Sequence, residues 1–269
     1  MSAIAEYRLH QQGGIASLLR EGTGTPIVLL PGVMADAETW RPVADAIGVP
    51  NPVVIVNRRG REPSRDLGSD YGIPAEIADL LSLVRSLGEP VHLFGWSYGG
   101  LIALEAARAL PLRSLVAYEP VARPFAPQAI EPIRRALAGG DAGRAVEIVN
   151  IEVSGFDASV VDALRASSVW PVLCRLAWPL GEELAAIDRF APSYGGYERI
   201  EAPVALLLGA LNEGAEPYGA AFERFAEALP SAVIDKMPGQ GHLAHAEAPQ
   251  VLARAIAGAV FRAEGRGHD

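Results

Sequence analysis

The sequence predicts an α/β fold: a mostly parallel, eight-stranded sheet with helices on both faces and a helical segment inserted after the sixth strand. Three observations carry this reading. Short continuous apolar runs such as 26–30, 53–56 and 204–209 alternate with amphipathic stretches of helical length, as strands of a sheet buried on both faces do. Ser97 stands between Gly95 and Gly99 where one such run passes directly into a helical stretch. The strand–helix alternation stops from 123 to 197, where only short helical patterns occur, and then resumes.

In chain order, residues 7–9 and 15–19 flank Gln11-Gln12-Gly13-Gly14 and read as a hairpin. The strand 26–30 ends in Pro31-Gly32, and a helix follows over 38–47 with Thr39 as its cap. A strand over 53–56 precedes an amphipathic helix over 73–87, which Pro74 starts and Gly88 stops. The strand 90–94, the turn at Ser97 and the helix 101–107 come next, then a strand over 114–118 closed by Glu119-Pro120. The insert reads as helices 127–138, 142–152, 158–166 and 182–189. A strand over 204–209, a helix over 220–229, a strand over 232–237 and a helix over 250–262 complete the chain. The expected division is a core of residues 1–122 and 198–269 and a helical cap of 123–197. The cap leaves and rejoins the sheet at the carboxyl ends of its strands, the edge where ligands bind in open parallel sheets.

Composition narrows the partners. The 269 residues, half of them hydrophobic, suffice for one large domain, and the net charge of −9 argues against nucleic acid or an anionic membrane as a partner. The single cysteine, Cys174, forms no internal disulfide and is expected to be a buried structural thiol. Residues 1–8 lack the basic start and apolar stretch of a secretory signal, and no 18-residue apolar run occurs. A cytoplasmic protein acting on a small molecule is expected, with a homodimer left open. No glycine-rich nucleotide loop or metal-ligand cluster is present in the sequence, so no cofactor is expected.

The pattern Gly95-Trp96-Ser97-Tyr98-Gly99 between strand and helix is the nucleophile-elbow signature. The turn is so tight that side chains two positions before and after the serine would collide with strand and helix, which is why glycine stands there. It holds a hydroxyl above the sheet at the positive end of a helix. A serine hydroxyl needs a base. Of the five histidines, His10 lies in the first hairpin, His92 inside a strand and His268 in the tail. His242 follows Gly239-Gln240-Gly241 at the carboxyl end of the last strand, the edge that also carries Ser97, and is the candidate general base; His245, one turn on, reads as surface or rim.

Four marks in order, Leu29-Leu30-Pro31-Gly32, the turn at Ser97, the helical insert and Gly239-Gln240-Gly241-His242, make the chain from roughly 15 to 260 resemble a small, capped α/β-hydrolase, an esterase-like member of that fold family. The resemblance implies a Ser-acid-His order and places the base at His242. Family members usually carry the acid in a Gly-x-x-Asp pattern after the strand ending at Gly209, where this chain has Asn212. Other members carry it after the preceding strand, where this chain has Glu119. Glu119 is the favoured acid and Glu213 the alternative. The resemblance also implies two backbone donors for an oxyanion: the N–H of Tyr98, and one from the loop after the third strand, with Val33 ahead of Met34.

These residues together imply a hydrolase that cleaves a small, apolar ester, lactone or thioester through an acyl-enzyme. Cleavage of carbon–carbon bonds, acyl transfer and perhydrolysis use the same constellation. A ligand-binding protein without useful catalysis is the competing class, because an amide at 212 could leave His242 unoriented. Trp96, Tyr98, Phe125, Trp170, Trp178 and Tyr194 are candidates for a pocket wall or plain core. The cluster Arg58-Arg59-Gly60-Arg61 reads as a solvated, mutually paired surface loop with Glu62 and Asp66.

Overall fold

The computed structural model describes residues 6–88 and 90–265; the start of the N-terminal stretch and His268 lie outside the described residues. Eight strands are described: β1 (Tyr7–Gln12), β2 (Ile15–Arg20), β3 (Ile27–Leu30), β4 (Val53–Asn57), β5 (Val91–Trp96), β6 (Leu112–Tyr118), β7 (Val204–Gly209) and β8 (Val233–Met237). They form one sheet in the order β1-β2-β4-β3-β5-β6-β7-β8. β1, β2 and β4 pair antiparallel, and every pairing from β4 to β8 is parallel. The chain runs outward from β3 to β4 and then returns to β5 on the other side. The carboxyl ends of β3 and β5 therefore flank the point where strand order reverses, the crevice that such sheets use for ligands.

The central strands are largely apolar because both faces are covered, β3 at every position. In β3, Val28 and Leu30 join one core, and Ile27 and Leu29 join the other. Leu93 and Phe94 of β5 divide the same way, as do Ala117 and Val116 of β6. One face is covered by α2 (Ile73–Leu87), α3 (Tyr98–Ala106) and α9 (Tyr218–Ala228), through Leu83, Ile102, Phe225 and their neighbours. The other is covered by α1 (Ala37–Ala46) and the last helix, Pro249–Gly265, through Trp40, Val43 and Ile256.

Between β6 and β7 lie α4 (Pro127–Ala138), α5 (Ala142–Ile148), α6 (Ala158–Arg165), α7 (Trp170–Leu176) and α8 (Leu180–Arg189), ending in a 3₁₀ turn, Tyr194–Arg199. Four local readings are corrected. The stretch 142–152 is not one regular helix: α5 gives way to a π-helical turn at Val149–Val153. The helix α7 was not expected. Its start signal is Pro171 in the first turn, where a missing N–H costs nothing. Cys174, on α7, is only half-buried, since that helix lies on the rim of the core. The cap of α1 is Asp36, whose carboxylate accepts from Thr39 N–H while the Thr39 hydroxyl oxygen accepts from Asp36 N–H. A short helix, α10 (Ala244–Glu247), follows β8 and precedes the terminal helix, α11.

Candidate active site

Ser97 occupies the junction of β5 and α3 with φ 56° and ψ −118°, a left-handed conformation that a non-glycine residue adopts only under constraint. The constraint is visible. Ser97 N–H donates to Tyr118 C=O at 2.9 Å, and Ser97 C=O accepts from Leu101 N–H at 3.1 Å, so both neighbouring elements hold the turn. A Cβ at Gly95 would lie 2.4 Å from Gly99 C=O, and one at Gly99 would lie 2.1 Å from Leu30 C=O. The two flanking glycines are thus required by backbone alone.

His242 lies in the loop between β8 and α10, and three contacts, from β5, β6 and the turn after β7, hold that loop. Trp96 Nε1–H donates to His242 C=O at 2.9 Å, the Tyr118 hydroxyl donates to Gly241 C=O, and Leu211 N–H donates to Gln240 C=O at 3.0 Å. Its ring is stacked on Tyr218, with centroids 3.6 Å apart and planes 11° from parallel, and Trp96 tilts against it at 5.0 Å. His242 Nδ1 stands 2.5 Å from Glu119 Oε2. Glu119 is fully buried at the end of β6, with φ 43°. Its Oε1 accepts from Gly209 N–H at 2.8 Å, and both its oxygens accept from Asn212 Nδ2 at 3.0 Å. Burial pushes the His242 imidazole below its ordinary value, outweighing the pull of the Glu119 carboxylate, so it is neutral near pH 7 and able to take a proton.

Glu213, the alternative acid, is exposed and pairs with Lys236 at 2.5 Å, on the rim of β7 and β8. Asn212 does not stand idle in the acid's place: it is a donor to the carboxylate one strand over. No sequence pattern announces that contact, which joins residues 93 positions apart.

A cavity of about 210 Å³ opens beside Ser97 and His242. Val33, Met34, Trp96, Leu243 and His245 line it from the core, Tyr218 from α9, and Phe125, Val149, Val153, Phe156, Leu164, Val169, Leu173 and Leu184 from the insert. Asn150 and Ser154 add polar edges, and among the described residues no arginine, lysine, aspartate or glutamate borders it. Of the other candidate aromatics, all but Trp178 serve packing. Tyr98 is buried, its hydroxyl 3.3 Å from that of Tyr71; Tyr194 packs on Phe225; Trp170 lies under Arg165; Trp178 is exposed.

Two readings of polar residues are overturned. His245 is buried, not on the surface: its ring stacks on Trp40 at 5.1 Å and meets Trp96 at 4.2 Å, and its Nδ1 has no hydrogen-bond partner. Burial first, and the neighbouring His242 second, pull its value down to about 3. Arg58, Arg59 and Arg61 are also buried, because their partners come from helices rather than from Glu62 and Asp66. Arg58 pairs with Glu76 and Glu183, Arg61 with Glu183, and Arg59 with Asp79. His10 is on the hairpin near Ser86, and His92 is buried in β5 with Nδ1 2.8 Å from Ser114 Oγ, a packing role. Among the described residues no group of three or more His, Cys, Asp or Glu is arranged to hold a metal ion, and no helix is long and apolar enough to cross a membrane.

Comparison with known proteins places this geometry. The family model described as "Alpha/beta hydrolase family" matches residues 27–255. N-formylmaleamate deformylase from Pseudomonas putida is 36% identical over 105 residues, 37% of this chain and 38% of that protein. Polyketide synthase ThaQ from Burkholderia thailandensis is 28% identical over 259 residues, 90% of this chain but 12% of the synthase. The matches span two fifths or less of the length of these curated relatives. Among solved structures, an alpha/beta hydrolase from Sphaerobacter thermophilus superimposes with a TM-score of 0.79 at 24% identity, covering 94% of this chain and 100% of that one, a likeness of fold.

Proposed function

The chain belongs to the alpha/beta hydrolase family, and from that premise we propose that it is a serine hydrolase acting on a small, uncharged ester, lactone or thioester, with no cofactor. The observation that carries the proposal is the 2.5 Å contact between Glu119 Oε2 and His242 Nδ1, beside a cavity that both His242 and Ser97 border. The fully apolar or neutral lining of that cavity supports an uncharged acyl group, since a buried charge would find no counter-ion there.

In this reading Ser97 Oγ attacks the carbonyl carbon while His242 Nε2 takes the hydroxyl proton. Glu119 keeps Nδ1 protonated and stabilises the imidazolium that forms. The N–H groups of Val33 and Tyr98 receive the oxyanion. Collapse of the tetrahedral intermediate breaks the bond to the leaving alcohol or thiol, which takes the proton back from His242. Water then attacks the acyl-enzyme and gives a proton to His242; as the bond to Ser97 Oγ breaks, His242 returns that proton to Oγ, which releases the acid and restores the serine hydroxyl. The non-catalytic reading drew on the amide at 212; with Asn212 donating to Glu119, that ground is lost.

The test is intact mass after exposure to a small fluorophosphonate, with Ser97→Ala and Glu119→Ala alongside. One adduct on the wild type, absent in the first variant and slower in the second, is the expected result. A folded wild type that takes no adduct overturns the proposal.

A further inference from the structure

The buried arginines after β4 end on the loop that follows β3. Arg58 Nε–H donates to Pro31 C=O at 2.8 Å, and Arg58 Nη2–H donates to Gly32 C=O at 2.7 Å. Arg61 Nε–H donates to Ala35 C=O at 3.0 Å. The same two guanidinium groups converge on one carboxylate, Glu183 of α8, at 2.6 Å each. Glu76 of α2 takes the remaining arm of Arg58 at 2.8 Å, and the Arg58 guanidinium also lies 4.8 Å from the centre of the Tyr98 ring.

The carbonyl of Gly32 and the N–H of Val33 belong to one peptide unit. A trans peptide is planar, with N–H and C=O pointing in opposite directions. Fixing the direction of Gly32 C=O therefore fixes the direction of Val33 N–H. We propose that Arg58 is a positioning residue that aims Val33 N–H at the developing oxyanion, and that Glu183 of the insert holds Arg58 in that pose. The inference rests on the serine-hydrolase reading above.

The arrangement is more than a fastening of the insert. A fastening needs only the ion pairs, whereas the forked donors of Arg58 are spent on two successive carbonyls of the loop. Lysine could keep the charge but not that planar fork. Burial alone would raise the Glu183 carboxyl, yet Arg61 and Arg58 hold it below the usual carboxylate range, so it stays ionised against them. A second tie runs in parallel: Arg175 of α7 meets Asp36 at 2.7 Å, just beyond the same loop. Seating of the insert and geometry of the oxyanion donor are thereby joined.

The experiment compares Arg58→Lys, Glu183→Gln and Arg59→Lys with the wild type. Arg59 is the control: it is buried in the same loop, but its donors go to Asp79 and Leu67 C=O and not to residues 31–36. The readouts are thermal midpoint, kcat and KM on p-nitrophenyl butyrate, and affinity for an alkyl boronic acid, whose tetrahedral adduct with serine places an oxygen in the oxyanion position. Removing an oxyanion donor costs about 10²–10³ in kcat, and misaiming one costs less. Arg58→Lys is expected to lower kcat by about 30-fold or more with KM within about threefold, and to weaken the boronate by a similar factor. Glu183→Gln is expected to do the same more weakly, because Glu76 still holds Arg58; if Arg58→Lys does not fold, this variant carries the comparison. Arg59→Lys is expected to leave kcat and boronate affinity near wild type even where it lowers the thermal midpoint. Equal losses of kcat in the Arg58 and Arg59 variants, or a change confined to KM, overturn the inference while the wild type still labels with fluorophosphonate. A wild type that does not label overturns the hydrolase reading and this inference with it.

Discussion

The side-chain amide of Asn212 stands 3.0 Å from each carboxylate oxygen of Glu119, so the position where the fold family usually keeps its acid instead serves as a donor to an acid one strand away. In the proposed mechanism, replacing Glu119 with Gln removes the charge that stabilises the His242 imidazolium, and it is expected to lower kcat about 10³–10⁴-fold. Asn212→Asp sets a second carboxylate against a buried one, and like charges at that distance do not both ionise freely; kcat at pH 7 is expected to fall roughly tenfold. The double variant Glu119→Gln/Asn212→Asp supplies a carboxylate from the other strand and is expected to recover at least part of the loss of Glu119→Gln. Steady-state rates on one p-nitrophenyl ester decide all three.

As the proposed base, the His242 imidazole must be neutral. Burial holds it below the ordinary value of 6.5. The acid limb of a kcat/KM profile is therefore expected below pH 6.5, with a plateau through neutrality. A limb above pH 7 would mean that the pull of the Glu119 carboxylate outweighs burial.

His245 is buried and neutral in the folded protein, at about 3 against 6.5 for the free side chain. The unfolded chain thus binds a proton that the folded one refuses, so stability is full above pH 6.5 and declines as pH falls from there toward 3. At pH 5 this one group costs about 2 kcal/mol. His245→Phe keeps an aromatic ring between Trp40 and Trp96 and removes the titration. Urea midpoints should show the variant gaining on the wild type as pH drops from 7 to 5; parallel curves would refute the assignment.

The elbow tolerates no side chain at Gly99, where a Cβ would sit 2.1 Å from Leu30 C=O. Gly99→Ala is expected to cost about 3 kcal/mol or more by overpacking backbone against backbone. Gly195→Ala, with nothing within 4 Å of the added atom, is expected to stay within about 0.5 kcal/mol. Chemical denaturation of the two proteins makes the comparison.

The parts of the molecule that follow from local pattern were legible in the sequence. Strands such as β3 and β7 are unbroken apolar runs because they are buried on both faces, and the turn at Ser97 is written in its two glycines. Glu119 could be singled out because the end of a strand fixes the edge on which its side chain stands. What escaped depends on contacts between distant segments. Glu183 lies 125 residues from Arg58, and nothing in either neighbourhood announces that they meet, so buried arginines read as a solvated loop. His245 read as rim for the same reason: one turn beyond His242, only the placement of Trp40 and Trp96 reveals that it points inward. The helix α7 escaped because its one start signal is Pro171 in the first turn, with no side-chain cap beside it.

Most of the apolar wall of the cavity, from Phe125 to Leu184, is encoded by one uninterrupted stretch, while Ser97, Glu119 and His242 lie outside it. The cavity wall and the proposed chemistry are therefore encoded in separate stretches. Exchanging a single run of codons would present a new shape to Ser97, the proposed nucleophile, provided that the transplanted helix again offers a carboxylate where Glu183 docks on Arg58 and Arg61. That one acidic position acts as the key by which a foreign insert would fit this scaffold.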